Sequence, residues 1–471
     1  MRRRSWDVIA VFVIVLGCHL TYEYLSQGDF YYPDSFTYLT PALNMLHGLG
    51  FSTDGQPETL RTPGYPLFLF PFLALRAPAG VIVATQHLLD ALLAVAIYLL
   101  TRRNFAAALI LGLDTITIHY ANKILTETLS AVLIVVIFVI LIRSRSLPAL
   151  IVTGLLCGAL VLVRPVAIVY FCVVMLWLGY VRVRLAAIMV FIAAAVLLPL
   201  AWSARNAART GVFTISSIGS NNLLMHRAAG ALAMEDGGDF KTHLEARQHQ
   251  LQRIVDAMIE EGEGVDDPDD LNSADLAPYY SALARQILLQ HPRALMLLTL
   301  RGFAVNMFDT DWDALAEVVD DELIPEEATK IAVHVWTWLL WIVTLAGIVA
   351  MWRRDRPQAA LIAATIFYFL FMAAGGEAEH RFRVPIVPLM ALASASVLSP
   401  RRVRGAVSGD KVVQCSERTL EPTRSITTLQ RCRSLNGLPC DVPRPRHRPA
   451  TTAVAPLMDT ARLSLTPNVI V

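Results

Sequence analysis

Long apolar runs alternate with short polar segments along most of this chain. A bilayer core about 30 Å thick needs roughly 20 residues of helix to cross. Ten runs come close enough to that length to be predicted as membrane-spanning helices, and the third, fourth and tenth are the short ones. They are residues 6–25, 81–101, 105–118, 127–142, 147–163, 165–181, 185–202, 331–352, 359–374 and 385–398.

The composition agrees with this pattern. Of the 471 residues, 55% are hydrophobic and only 17% are charged, whereas about 25% of the residues of a soluble domain are usually charged. The sequence therefore predicts an all-α polytopic membrane protein with about ten transmembrane helices. The formal net charge of +1 adds little, because the charges are segregated along the chain.

Arginine clusters at alternate ends of the runs predict the orientation. Short loops rich in Lys and Arg stay in the cytoplasm, and ten crossings with both termini inside place six clusters there. These are in residues 2–4, 102–103, 143–145, 182–184, 353–356 and 401–404. We therefore predict a multi-pass protein of the plasma (inner) membrane with an extracytoplasmic active face. The first run lacks the small-residue cleavage site of a signal peptide, which favours an uncleaved helix.

The same pattern predicts a membrane domain, residues 1–399, and a disordered cytoplasmic tail, residues 400–471. A first outer loop, 26–80, and an outer region, 203–330, belong to the membrane domain. We expect the outer region to form a helical periplasmic cap, although its stretch 211–222 has strand-and-turn character. Residues 294–308 carry Arg301 in their middle and are predicted to lie as a helix on the outer surface.

The first outer loop is predicted to begin with a juxtamembrane helix over residues 35–47, which Asp34 would cap. Residues 54–57 have the composition of a turn. Residues 66–76 are apolar but short, which favours a second surface or half-inserted helix.

The second apolar run contains Gln86, His87 and Asp90, and the third contains Asp114. Charged groups at that depth need partners inside the helical bundle. They are open to two interpretations, a proton relay or structural carboxylates with local partners, and the second is favoured because two scattered carboxylates do not form a chain.

Both signs of charge are collected on the predicted outer face. Its carboxylates are Asp34, Glu58 and Glu127, and it also holds His380. The cations there are Arg61, Lys123, Arg164, Arg205, Arg381 and Arg383. A carboxylate can take a proton from an acceptor while Arg and Lys neutralise a departing phosphate. For Lys123 and Glu127, a location at the membrane surface with a helix start at Thr126 is an equally good interpretation.

Other classes of site find no support in the sequence. It contains no glycine-rich phosphate loop and no dinucleotide fingerprint, so neither a nucleotide cofactor nor a nucleic-acid partner is predicted. The predicted outer loops contain no cysteine, which argues against a disulfide framework.

Four stretches together resemble the membrane-embedded C-fold glycosyltransferases that use polyprenyl-phosphate sugars, the superfamily of protein O-mannosyltransferases and the lipid A aminoarabinose transferase. They are Pro33-Asp34-Ser35 with Tyr38, the stretch 58–66 that ends in RTPGYP, LTETL at 125–129, and HRFRVP at 380–385. The stretch Arg164-Pro165 and residues 202–206 are similar as well. One departure is Ser35, which stands where the protein mannosyltransferases have a second adjacent acid.

The resemblance implies roles for individual residues. Asp34 would be the catalytic carboxylate, acting as base or orienting the acceptor, with Glu127 and Glu58 as the further catalytic acids. Arg381, Arg383, Arg164, Lys123 and Arg61 would bind the donor phosphate. Tyr38, Tyr65, His380 and Arg205 would bind substrate. Some relatives hold a divalent metal near the first loop, for which Glu58 would be one ligand, but the sequence offers no complete ligand set.

We therefore predict an inverting glycosyltransferase, a hexosyl- or pentosyltransferase of the cell envelope. It would move a sugar from a polyprenyl-phosphate donor to a lipid, glycan or protein acceptor on the outer face of the membrane. Two alternatives stay open: a polytopic transporter or flippase, and a polymerase or ligase that uses a diphosphate-linked glycan. A transporter predicts charged residues along a path at mid-membrane and often internal repeats.

Overall fold

The computed structural model describes residues 2–263, 271–310, 312, 318 and 325–398. The predicted tail, 400–471, lies outside the described residues. The described chain is almost entirely helical, and its helices are numbered here in chain order. They are α1 Arg2–Leu25, α2 Pro33–Leu46, α3 Gly64–Ala74, α4 Ala79–Leu100, α5 Phe105–Leu113, α6 Thr115–Ala121, α7 Glu127–Arg143, α8 Leu147–Val163, α9 Tyr170–Tyr180, α10 Leu185–Thr210, α11 Ile218–Asn221, α12 Ala229–Asp236, α13 Phe240–Glu263, α14 Ser273–Gln290, α15 Pro292–Phe308, α16 Glu326–Trp352, α17 Arg356–Met372 and α18 Val387–Leu398.

Three segments wind more tightly or more loosely than an α-helix. Two are 3₁₀ helices, Pro165–Ala167 and His380–Ile386, and one is a π-helix, Asn222–Ala228. The only strands in the described part of the chain form a two-residue hairpin, in which Ser52 pairs with Pro57 and Thr53 with Gln56. Asp54 and Gly55 both have positive φ at its tip, as a tight hairpin turn requires. The predicted turn at 54–57 is therefore confirmed for Asp54 and Gly55, whereas Gln56 and Pro57 form the second strand.

Five of the described helical stretches are long enough and apolar enough to cross a membrane. They are Trp6–Leu25, Ala79–Leu100, Leu185–Thr210, Glu326–Trp352 and His380–Leu398. Large apolar side chains on several of them face outward instead of into the protein, among them Leu92, Leu197 and Ile342, each about half exposed. An apolar surface of this extent is typical of contact with lipid.

The third and tenth predicted runs are not single helices. The third is divided into α5 and α6 at Asp114, whose carboxylate accepts hydrogen bonds from the backbone N–H and the hydroxyl of Thr117. Asp114 therefore caps α6, and the prediction of one helix over 105–118 is wrong because a capping side chain competes with helix continuation. In the tenth run, α18 begins only at Val387, after the 3₁₀ helix.

The ionisable residues within the apolar runs have local partners. Trp336 donates to Asp114 at 2.9 Å, and Thr128 donates to Asp90 at 3.2 Å. His87 contacts His19 at 2.9 Å between their Nδ1 atoms, and its Nε2 lies 3.3 Å from the side-chain oxygen of Asn122. These contacts agree with the structural interpretation of the carboxylates.

Two sets of contacts join distant parts of the chain. In the first, the hydroxyl of Tyr98 donates to Asp7, Arg145 lies over the ring of Trp177, and Trp177 donates to the carbonyl of Pro357. These residues lie close in the sequence to the arginine clusters near 102, 143, 182 and 353. In the second, the predicted outer carboxylates Asp34 and Glu127 pair with arginines from distant parts of the chain.

The outer region has a small apolar core of its own. Leu224 and Ala228 of the π-helix pack there with Val255 of α13 and Ala284 of α14. The predicted strand-and-turn character of 211–222 is wrong for its last residues, which form α11 and enter the π-helix. Burial of Leu224 and Ala228 against two long helices outweighs the weak local preference for extended structure.

Helix α15 packs closely against the loop that precedes the 3₁₀ helix His380–Ile386. A Cβ atom on Gly302 would lie 2.7 Å from the backbone nitrogen of Gly375 and 2.8 Å from its oxygen. Both contacts are with backbone, which has little freedom to move. Gly302 therefore sets how near α15 comes to this loop.

Replacement of Gly302 by Ala is expected to cost about 1–3 kcal/mol of unfolding free energy, because the extra carbon overfills a backbone contact. Gly179 of α9 has nothing within 4 Å of the corresponding position. Gly179→Ala is therefore the matched control, and it should be neutral or slightly stabilising because Ala favours helix. Thermal unfolding of both variants in detergent would measure the difference, and equal midpoints would contradict it.

Candidate active site

The candidate site is built from the loop after α1 and from four distant segments. Asp34 lies in the first turn of α2, and the hairpin and the stretch 58–63 lead from α2 to α3. Gly64, the first residue of α3, lies against the backbone of α8, since a Cβ there would come within 2.5 Å of the carbonyl oxygen of Leu162. This contact fixes the end of the loop against the bundle.

Asp34 is held between two arginines. Its Oδ1 lies 2.6 Å from Nη2 of Arg61, and its Oδ2 lies 3.0 Å from Nη1 of Arg381. Arg381 also pairs with Glu379 at 2.6 Å and lies over the ring of Tyr32. The prediction that Asp34 caps the helix is wrong, because Tyr32 is the N-cap residue and both carboxylate oxygens of Asp34 bind guanidinium groups.

These arginines determine the ionisation of Asp34. Burial by itself raises the pKa of the Asp34 carboxyl, but the charges and hydrogen bonds of Arg61 and Arg381 outweigh burial and lower the pKa below its ordinary value. Asp34 is therefore an anion at neutral pH and a weaker base than a free carboxylate.

Arg61 connects Asp34 to the rest of the loop. Its Nε donates to the hydroxyl of Thr37 at 2.8 Å, and its guanidinium lies 4.7 Å from the ring centre of Tyr38. Glu58 accepts from the backbone N–H of Arg61 at 2.9 Å and from the hydroxyl of Thr53 at 2.6 Å. Glu58 therefore holds the hairpin and the start of the Arg61 segment together.

The two predicted tyrosines, Tyr38 and Tyr65, pack against each other beside this cluster. Tyr38 is buried and packs edge-to-face against Tyr65, with 5.2 Å between ring centres. The hydroxyl of Tyr65 is fully buried and donates to Gln86 at 2.7 Å. Tyr65 therefore holds the ring of Tyr38 in place. Of these two tyrosines, Tyr38 is the one that contacts a charged group, the guanidinium of Arg61.

A second ion pair lies beside the first. Glu127, at the start of α7, pairs with Arg164 at 3.0 Å, and both side chains are buried. Helix α7 has Thr126 as its N-cap residue, which confirms the predicted helix start. Glu127 interacts electrostatically with Tyr38 and with Arg381. The structure thus brings together seven predicted residues, namely Asp34, Glu58, Arg61, Tyr38, Glu127, Arg164 and Arg381.

Other predicted residues lie nearby but are directed elsewhere. Lys123 pairs with Asp29, and Arg383 is buried and donates to the backbone carbonyl of Asp309 at 2.6 Å. Arg205 donates to the backbone carbonyl of Phe51 at 2.7 Å and lies over the Trp202 ring. These three cations brace the backbone around the site, and their predicted contacts with substrate stay predictions.

His380 has a defined environment at the edge of the cluster. Its Nε2 lies 2.6 Å from the hydroxyl of Tyr120, and its Nδ1 lies 3.6 Å from the carboxylate of Asp309. Burial raises the pKa of Asp309, but the hydrogen bond and charge of His380 outweigh that effect and lower it.

Three residues of the site were missed by the sequence analysis. Tyr32 donates to Glu379 at 2.7 Å, and Glu379 pairs with Arg381. His226, in the π-helix, interacts electrostatically with Asp34, Arg381 and Glu379. Glu379 directly precedes the stretch HRFRVP at 380–385, so its position was a usable signal. His226 lies in a stretch without a recognisable motif and offered none.

A groove of about 730 Å³ includes two residues of the loop beside the site in its lining. It lies between α13 and α15, and its lining includes Phe240, Leu244, Arg301, Val305, Gly376 and Ala378. Apolar side chains alternate there with charged ones. The guanidinium of Arg301 lies 3.7 Å from the ring centre of Phe240.

The described residues do not contain a group of three or more His, Cys, Asp or Glu side chains placed to hold a metal ion. Glu58 has both carboxylate oxygens engaged by Thr53 and Arg61. The divalent metal that the resemblance implies near Glu58 stays a prediction.

Comparison with known proteins does not assign the chain to a family. A scan against models of protein families found no match, and a search of curated proteins found no similar sequence. The function must be argued from the residues and their arrangement.

Proposed function

We propose that this protein is a membrane glycosyltransferase that moves a sugar from a polyprenyl-phosphate donor to an envelope acceptor on the outer face of the membrane. The observation that carries the proposal is the Asp34 carboxylate held between Arg61 and Arg381, with the Glu127–Arg164 pair beside it. The proposal places this cluster at the outer end of the bundle and the arginine clusters at the cytoplasmic end. A charged site next to an apolar lateral surface suits a substrate with a lipid tail and a phosphate head.

The arginines supply what such a reaction needs. When the acceptor hydroxyl attacks the anomeric carbon, the bond from that carbon to the phosphate oxygen breaks and the phosphate leaves with the electron pair. Arg61, Arg381 and Arg164 would stabilise the growing negative charge. A single displacement of this kind inverts the configuration at the anomeric carbon. Asp34 would hold the guanidinium groups in place and orient the acceptor.

The groove beside α15 is a second support for the proposal. Its lining includes Gly376 and Ala378, which lie in the loop that precedes the 3₁₀ helix of Arg381. We assign it to the acceptor, which would approach from the outer region while the donor enters between helices near Arg381. The sugar would then be transferred where the two routes meet.

The proposal includes the ten-crossing topology, with the site outside and both termini inside. In a variant without the native cysteines, a membrane-impermeant maleimide should label Gln56→Cys in intact cells. It should label Ser144→Cys only after the membrane is opened. Both positions are exposed. Labelling of Ser144→Cys in intact cells would contradict the orientation.

A panel of donors tests the proposed reaction. The purified protein would be reconstituted in liposomes with sugars on polyprenyl phosphate and, separately, on polyprenyl diphosphate. The proposal predicts transfer from at least one monophosphate donor, with an inverted anomeric centre in the product. Transfer from diphosphate donors alone would favour a polymerase or ligase and would overturn the donor assignment.

A further inference from the structure

We infer that His226 is the general base of the proposed transfer, which takes the proton from the acceptor hydroxyl. This inference rests on the proposed function and assigns a catalytic role to a residue of the outer region. It separates two tasks at the site. Asp34 organises the arginines, and His226 removes the proton.

The surroundings of His226 set it apart from the other histidines near the site. Its Nδ1 is shielded from solvent and has no hydrogen-bond partner among the described residues. A buried polar atom without a partner is costly and calls for a specific explanation. An acceptor hydroxyl bound in the site would supply the missing partner.

The backbone of His226 lies against the loop that precedes the 3₁₀ helix of Arg381. A Cβ atom on Gly376 would overlap the carbonyl oxygen of His226, so the π-helix and this loop are in direct backbone contact. Arg227, the next residue, donates to the carbonyl of Met372 at 2.6 Å and pairs with Glu377 at 3.4 Å. A π-helix inside a helical segment is itself frequent at functional sites.

The charges that face His226 come from three parts of the chain. Glu377 and Glu379 lie on the adjoining loop, Arg381 lies in the 3₁₀ helix that follows it, and Asp34 lies on α2. Arg227, the neighbour in the π-helix, pairs with Glu377. Burial lowers the pKa of His226, and the three carboxylates partly oppose burial. The imidazole is therefore neutral at pH 7 and able to accept a proton.

Asp34 is less suited to this task. Both of its oxygens bind guanidinium groups, and its pKa is lowered. A general base is most effective when its pKa lies near the working pH. In the proposed step the acceptor O–H bond breaks, the proton moves to His226, the new bond to the anomeric carbon forms, and the phosphate leaves with the electrons of the old bond. The proton then passes from His226 to the departing phosphate or to water.

Two variants and a control test the inference. His226→Ala and His226→Gln would be assayed with the polyprenyl-phosphate sugar that the wild type transfers, at equal folded protein. The expected loss of kcat is about 10²- to 10⁴-fold, the usual contribution of a general base. Added imidazole should restore part of the activity of His226→Ala. The exposed His249 of α13 gives the control, since His249→Ala should behave as the wild type.

The pH profile separates a base from a structural histidine. For the wild type, kcat/KM should fall as the pH drops through the pKa of His226, because the protonated ring cannot accept a proton. That acidic limb should be absent in His226→Gln. Wild-type rates in His226→Gln, or no rescue of His226→Ala by imidazole, would overturn the role of His226 as the base but not the proposed function. Absence of transfer by the wild type would overturn the proposed function with it.

Discussion

Replacement of Asp34 by Asn is expected to reduce sugar transfer at least about 100-fold, the scale seen when one charged group of a preorganised site is lost. Asn cannot neutralise two guanidinium groups, so Arg61 and Arg381 would repel each other and leave their positions. The loss should appear in kcat as well as in KM, because in the proposed reaction these arginines would stabilise the leaving phosphate in the transition state. Transfer rates of wild type and variant at equal protein would measure it.

Asp34→Glu is the matched variant for this prediction. It keeps the charge, lengthens the side chain by one carbon and should retain more activity than Asp34→Asn. The stability effect should be smaller than the catalytic effect, because the Asp34 side chain is 29% exposed. Equal activity of Asp34→Asn and wild type would remove Asp34 from the site.

The largest effect on stability is expected at the Glu127–Arg164 pair. The side chains of Glu127 and Arg164 are 3% and 9% exposed, and Oε2 of Glu127 has no other hydrogen-bond partner among the described residues. Arg164→Met would therefore leave a buried carboxylate without a cation. Removal of one partner of a buried pair costs about 3–5 kcal/mol, and we expect a loss of that size in unfolding experiments in detergent.

A double-mutant cycle separates the pair from its surroundings. Glu127→Leu combined with Arg164→Met should recover most of the lost stability, because no buried charge is left, but it should not recover transfer. The exposed pair Arg247–Asp236, with 2.6 Å between its charged atoms, is the control. Its coupling energy should stay below about 1 kcal/mol. A coupling energy of the same size at both pairs would contradict the buried-pair account.

The helical architecture and most of the loop geometry follow from local patterns. The turn at Asp54 and Gly55 and the helix start at Thr126 could be predicted because Asp-Gly and Thr-Glu have strong local preferences. The break at Asp114 could not be predicted with equal force, since an apolar run on both sides of one Asp also fits a continuous helix. Only the cap and the contact with Trp336 decide between the two.

The site was predictable as a set of residues but not as a geometry. The resemblance of short motifs selected Asp34, Arg61, Glu127 and Arg381, which do come together. It assigned Lys123 and Arg383 to the donor phosphate as well, although Lys123 binds Asp29 and Arg383 binds the carbonyl of Asp309. Which cation turns toward Asp34 depends on contacts between residues hundreds of positions apart. His226 was missed for the same reason, because its neighbours are close only after folding.

The central claim is that this protein transfers a sugar from a lipid phosphate to another molecule. The most direct test follows labelled sugar from polyprenyl-phosphate donors in native membranes, with wild type and Asp34→Asn compared at equal protein levels. The account predicts that the wild type moves label to a new molecule and that Asp34→Asn does not. Label that only changes sides of the membrane, at the same rate in both proteins, would contradict the account and favour a transporter.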